Sequence, residues 1–344
     1  MYALEIHKMK LRGTSDMFYI ILNPSSKSGR GIQIWEKLEP VFADRQIPYE
    51  LHYSRHSGHI IQLVHDITEK APGIVNIILL GGDGTLNEAL QGVSDFSRVN
   101  FGYIPTGSSN DFARDMGLPK APLDLLECIL QNAASENVTL LDLGVLTYVN
   151  QADCPVPCDS ESVSSIKETA STRYFSVSTG IGFDAAVCEE ALSSPIKDVL
   201  NKLKLGKLTY LGIALKQLIQ AKSIACDLIL DNKTQIHLNR FLFVASMLHQ
   251  YEGGGFKFCP DANATDGILD LCVVGKLPKP FILFALPTAF WGKHYMFPNI
   301  THYSAHEIEL HTSAPLWVHT DGEVHQKANH IKISCRKQTI RFLF

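Results

Sequence analysis

Between residues 17 and 133, short apolar runs alternate with segments of helical periodicity, and this alternation limits the fold more than any other feature. The runs at 17–24 (MFYIILNP), 75–81 (VNIILLG) and 100–107 (NFGYIPTG) are nearly unbroken, as in strands buried on both faces; 49–54 (YELHYS) alternates. Segments 31–46, 59–70, 85–95 and 124–133 carry apolar residues at helical spacing. A β-α-β-α order predicts a parallel, doubly wound α/β domain. Ligands of such domains bind outside the carboxyl ends of the strands.

Past about residue 138 the pattern becomes strand-rich: 139–149, 173–184, 224–231, 236–248 and 267–275 read as short strands with turns between them. Only 184–222 looks helical at length. The predicted organisation is an α/β domain over 17–138, joined by a strand at about 337–344, and a mainly β sandwich over 139–336. The Ser-rich stretch 150–172 reads as a long exposed loop, prone to disorder and nicking.

Composition narrows the function classes. A net charge of −4 argues against a broad nucleic-acid footprint. No run of about 18 apolar residues could span a bilayer; 281–290 is too short and contains Pro287. Residues 1–16 lack the apolar core of a signal peptide and read as a short extension, which suits a cytoplasmic protein. Cys188, Cys226, Cys259 and Cys272 lie in or beside apolar stretches and read as buried free thiols. Cys154 and Cys158 lack two further ligands at zinc spacing.

Three polar loops follow strands of the α/β half. The first, NPSSKSGRG (23–31), leads into a helix and adds Lys27 and Arg30. The second, GGDGT (81–85), places three glycines around Asp83. Glycines tolerate positive φ and carry no Cβ, so successive N–H groups can nest around a phosphate at a helix start. Thr85, with Glu88 three residues on, reads as the helix cap and leaves Asp83 for other work. The third, PTGSSNDFAR (105–114), offers Ser108 and Ser109, with Asn110 or Asp111 capping the next helix.

Together NPSSKSG, GGDGTLNE and GSSNDFAR resemble the diacylglycerol kinase catalytic-domain family, which includes bacterial lipid kinases and the sphingosine and ceramide kinases. The likeness continues through GIGFDA (180–185), GGGFKFCPDANATDGILDL (253–271) and DGE (321–323). GGDGT alone is shared with NAD kinases and phosphofructokinase-like folds. The resemblance implies an ATP-dependent, Mg²⁺-dependent kinase acting on a lipid hydroxyl, diacylglycerol by default. It implies that Gly81, Gly82, Asp83, Gly84, Thr85, Leu86 and Asn87 contact the nucleotide, with Asn23 beside it. Ser54 and Ser108 match positions where the family carries a nucleotide-contacting Thr. Asp266, with the backbone carbonyls of Asn263 and Ile268, matches a structural Mg²⁺ site. Glu323 matches the proton acceptor, and Asp321 and Asp83 complete a carboxylate cluster that could hold the catalytic Mg²⁺ through water. His319 and His325 read as bystanders.

The apolar segment 279–294 reads either as a core helix of the β domain or as a peripheral membrane contact. An NAD kinase-like phosphotransferase and a non-catalytic nucleotide-binding regulator are the competing readings. The motifs do not fix the acceptor lipid, and oligomeric state, a homodimer included, is not legible.

Overall fold

The structure is a computed structural model that describes residues 17–149, 172–193, 212–213, 216–221 and 224–344. The expectations for the N-terminal extension, for the 150–171 loop with Cys154 and Cys158, and for most of the helical region at 195–221 lie outside these residues.

The first half is a parallel sheet in the order β2 (Tyr49–Tyr53), β1 (Phe18–Leu22), β3 (Val75–Gly81), β4 (Val99–Pro105). Strand periodicity sorts its side chains onto two faces. Ile21, Ile77, Leu79, Phe101 and Tyr103 pack against α2 (His59–Lys70), α3 (Asp83–Gln91) and α4 (Asp111–Asp115). Ile20, Leu22, Ile78, Leu80 and Ile104 pack against α1 (Arg30–Asp44) and α5 (Pro122–Ala134). Each such side chain is almost fully buried, contributing about 1.5–3 kcal/mol by leaving water.

The second half is built from β5 (Thr139–Tyr148), β6 (Thr172–Phe175), β7 (Ser178–Gly182), β8 (Ile224–Leu230), β9 (Thr234–Met247), the short β10 (Tyr251–Glu252) and β11 (Phe256–Lys257), β12 (Leu269–Gly275), β13 (Ile300–Ala305), β14 (Glu307–Thr320) and β15 (Glu323–Phe342). Its helices include α6 (Phe183–Ser193) and α7 (Lys279–Thr288). The long strands β9 and β14 each pair with β8 along one half and with β7 along the other, so the pairings close on themselves. A register shift between His311 and Leu316 bends β14 at this changeover. The inner faces meet in a core that includes Ile181, Leu228, Val244, Leu271 and Ile331.

The two halves share one sheet. β15 runs 20 residues, pairs with β14 and β5, and ends parallel to β4 through Arg341–Asn100 and Phe342–Phe101. Phe342 is fully buried against Phe101 and Phe112. Of the four cysteines expected to be buried, Cys226, Cys259 and Cys272 are; Cys188 is only partly covered. Among the described residues, no helix is long and apolar enough to cross a membrane.

Candidate active site

Three loops meet at the carboxyl edge of β1, β3 and β4. The Asn23 N–H donates to Leu80 O (3.0 Å), and Asn23 Nδ2 donates to Thr85 Oγ1 (3.2 Å). The Ser26 and Thr106 hydroxyls are 2.7 Å apart, and the Thr106 N–H donates to Gly81 O at 2.7 Å. Ser54, buried at the end of β2, donates its N–H to Leu22 O at 2.9 Å. Ser108 is exposed on the β4 loop.

The glycines of this loop serve space rather than backbone handedness, contrary to the nest expected from sequence. None of Gly81, Gly82 and Gly84 has positive φ. A Cβ on Gly81 would overlap the Thr85 side chain. Gly82 and Gly107 lie backbone to backbone, so that a Cβ on Gly107 would come within 2.6 Å of Gly82 Cα. A Cβ on Gly84 would come within 2.5 Å of Glu323 Oε1. Thr85 is not the cap of its helix. α3 starts at Asp83 with Gly82 as N-cap, and Thr85 is buried inside the first turn. Glu88 serves a different helix: its carboxylate accepts from the Ile60 N–H and the Ser57 hydroxyl, both at 3.3 Å, at the start of α2. Neither Asn110 nor Asp111 caps α4 with its side chain. Asp83, the first residue of α3, does so instead, accepting from the N–H groups of Asp111 (3.1 Å) and Phe112 (3.4 Å).

The β domain delivers two further carboxylates on one turn. Asp321 (φ 51°) and Gly322 (φ 84°) form a two-residue hairpin that pairs Thr320 with Glu323. The Asp321 carboxylate accepts from the N–H groups of Ser176, Val177 and Ser178 at 2.8–3.0 Å and from Asn87 Nδ2 at 2.9 Å. Asn87, 1% exposed, thereby ties α3 to the β domain and also donates to Tyr174 O. Leu86 is fully buried in the α/β core, so only its backbone faces the loop. His319 is no bystander: its Nδ1 accepts the Gly322 N–H at 3.1 Å and braces the turn. His325 contacts Arg173 instead.

Burial pushes the Asp83 carboxyl up to about 7, and the neighbouring Asp111 and Asp321 carboxylates add to the effect. Asp111, read in the sequence only as a helix cap, belongs to this carboxylate group. It is 5% exposed, pairs with Arg114 and accepts the Gly254 N–H at 2.7 Å. A polar residue at a helix start gives no sequence signal of such a neighbour. The structure therefore brings Asp83, Gly84, Asn87, Asp111, Asp321 and Glu323 together across the two halves. Asn263, Asp266 and Ile268 lie in a separate turn. There Asp266 Oδ1 accepts the Ile268 N–H (2.9 Å), and the buried Asp142 accepts the Gly267 N–H (2.6 Å).

Residues 17–142 match the diacylglycerol kinase catalytic domain, and residues 176–343 match the YegS C-terminal NAD kinase beta sandwich-like domain. A Bacillus subtilis protein named "Putative lipid kinase YtlR" is 27% identical over 312 residues, 89% of this chain and 93% of the relative. The diacylglycerol kinase of the same organism is 28% identical over 318 residues, 88% of each chain. In fold, the chain is similar to a diacylglycerol kinase structure from Bacillus anthracis, with a TM-score of 0.67 at 21% identity, covering 96% of this chain and 97% of that one. The two domain matches define a two-domain kinase. The chain belongs to the diacylglycerol kinase catalytic-domain family, and with it to the lipid kinases.

Proposed function

We propose that this chain transfers the γ-phosphoryl group of ATP to a lipid hydroxyl, with diacylglycerol as the default acceptor and Mg²⁺ as the required cation. The carrying observation is the Glu323 carboxylate of the β domain seated against Gly84 of the glycine turn. It sets a base from one half beside the phosphate-binding loop of the other.

The residues present fit both groups. Gly82 and Gly107 pack backbone to backbone at the start of α3, where a phosphate would meet helix N–H groups with no side chain in the way. Burial holds the Asp83 and Asp111 carboxyls above their ordinary pKa, so a hard dication bound beside them would offset the cost of their ionisation. When bound, Mg²⁺ neutralises charge on the transferring phosphoryl oxygens. Glu323 takes the proton of the attacking hydroxyl. Asp321 and His319 hold the turn that carries Glu323. The Asn263, Asp266 and Ile268 turn suits a structural ion. The functional division falls near residue 138, with the strand at 337–344 returning to the nucleotide domain.

The lipid side fits α7 and the segment after it. Ile282, Ala285 and Ala289 bury one face over the core that includes Phe243, Cys272 and Val274. Phe281, Phe284, Phe290, Trp291 and Met296 stand exposed on the other side, with Lys293 among them. That belt suits peripheral contact with a membrane surface, which would present the acceptor.

The test supplies radiolabelled ATP with a panel of diacylglycerol, phosphatidylglycerol, a sphingoid base, undecaprenol and NAD. Label in a lipid supports the proposal and identifies the acceptor. Label in NAD alone rejects it. Glu323→Gln should bind ATP normally and lose at least a hundredfold in rate; an unchanged rate removes Glu323 from the role of base.

A further inference from the structure

The outer face of the β domain carries a row of titratable side chains remote from the cleft. His330, His311, Asp227 and His237 are paired in register across β15, β14, β8 and β9. Strand alternation turns all four outward, while Ile331, Leu310 and Leu228 beside them are buried. Glu309 stands one pleat from His311 on the same face. Its Oε1 lies 2.7 Å from His330 Nε2 and 3.2 Å from His311 Nε2. The two imidazoles stack with centroids 3.7 Å apart and planes at 27°, which brings both Nε2 atoms to the same oxygen. Lys332 Nζ sits 3.3 Å from the other oxygen, Oε2.

We propose that Glu309, His311 and His330 form a binding site for an imidazole-preferring transition-metal dication such as Zn²⁺. Three donor atoms, one from each residue, lie within 4.8 Å of one another. Zinc bonds of about 2.0–2.1 Å in tetrahedral geometry put neighbouring donors about 3.3 Å apart. Small rotations of three partly exposed side chains close that difference, and the paired strands fix their Cα positions. Two imidazoles and one carboxylate suit zinc, nickel or copper, whereas Ca²⁺ and Mg²⁺ prefer an all-oxygen shell. A fourth position stays open to water, because the face is reachable from solvent: the His311 side chain is 42% exposed. Asp227 adds negative potential beside His311 while its Oδ1 is held by His237 Nδ1 at 2.6 Å. His330 lies seven residues along β15 from Glu323, roughly 24 Å at about 3.4 Å per residue, so the site is separate from the cleft.

The test strips the purified chain with EDTA and titrates it with Zn²⁺ against a chromophoric chelator. Wild type should take up one more equivalent than His311→Ala/His330→Ala, and Glu309→Gln should weaken that equivalent at least tenfold. Co²⁺ should give wild type visible d–d bands without a thiolate charge-transfer band, and the double variant should lack them. His237→Ala should keep the site. Should the alanine pair fold poorly, His311→Gln/His330→Gln preserves polar side chains and is read the same way. Equal zinc uptake and equal affinity in wild type and a folded double variant overturn the proposal.

Discussion

The carboxylate of Glu323 rests on the α-carbon side of Gly84, two residues that lie 239 positions apart and in different halves of the molecule. Gly84 has ordinary backbone torsions, so its lack of a side chain is what admits Glu323.

Gly84→Ala should therefore displace the end of the Glu323 side chain and little else. The expected result is a kcat at least tenfold lower, with thermal stability changed by no more than about 1 kcal/mol, since a flexible carboxylate can move aside. Kinase assays and melting curves on the same preparation read both quantities. Normal kcat in a folded Gly84→Ala protein would sink the contact as a functional one.

Asp321→Asn keeps a residue that tolerates φ 51° and removes the charge from an acceptor of three backbone N–H bonds. A loss of about 2–3 kcal/mol in urea unfolding is expected, because hydrogen bonds to charged groups are the stronger ones. Unchanged stability with abolished turnover would instead place Asp321 in the reaction itself.

His294 is 3% exposed, donates Nε2–H to Phe258 O at 3.1 Å, and has no partner at Nδ1. Burial pushes its pKa down to about 4, from 6.5. The unfolded chain therefore binds a proton that the folded chain refuses as pH drops through 6.5. Stability is complete above pH 6.5 and falls by about 3 kcal/mol towards pH 4. His294→Gln retains an N–H for Phe258 and should flatten that part of the stability profile. Parallel profiles for wild type and variant across pH 4–6.5 would refute the assignment.

Phe284 and Trp291 are 72% and 70% exposed. Replacing both with Ser should leave turnover of a short-chain, detergent-dispersed acceptor within about twofold. Flotation with anionic liposomes should fall severalfold. Equal flotation of wild type and variant would remove the apolar belt from the membrane-contact role.

Local order was legible where one segment answers only to its own sequence. The periodicity of 59–70 predicts α2 to the residue, and the unbroken run 75–81 predicts β3. The reason for Gly82 and Gly84 was not legible, because Gly107 and Glu323 reach them only through the fold. Thr85 and Glu88 have the spacing of a capping box, yet the N-cap falls three residues earlier, at Gly82, whose carbonyl accepts from the Thr85 and Leu86 N–H groups. Asp111 and Asp142 read as ordinary turn and strand residues. Their roles depend on Gly254 and Gly267, 143 and 125 positions away. In the β half, single strands were visible but the pairing that closes β14, β8, β9 and β7 was not, since β9 and β14 each change partners midway.

The return of β15 to β4 also has a consequence for biosynthesis. Asn100 and Phe101 wait for Arg341 and Phe342, which a ribosome adds about 240 residues later. At about 5–20 residues per second, the outer edge of β4 stands unpaired for roughly 10–50 s. During that interval the nascent nucleotide domain presents an open strand edge and an uncapped aromatic cluster to its surroundings. The half of the protein that is translated first is thus among the last parts to be sealed.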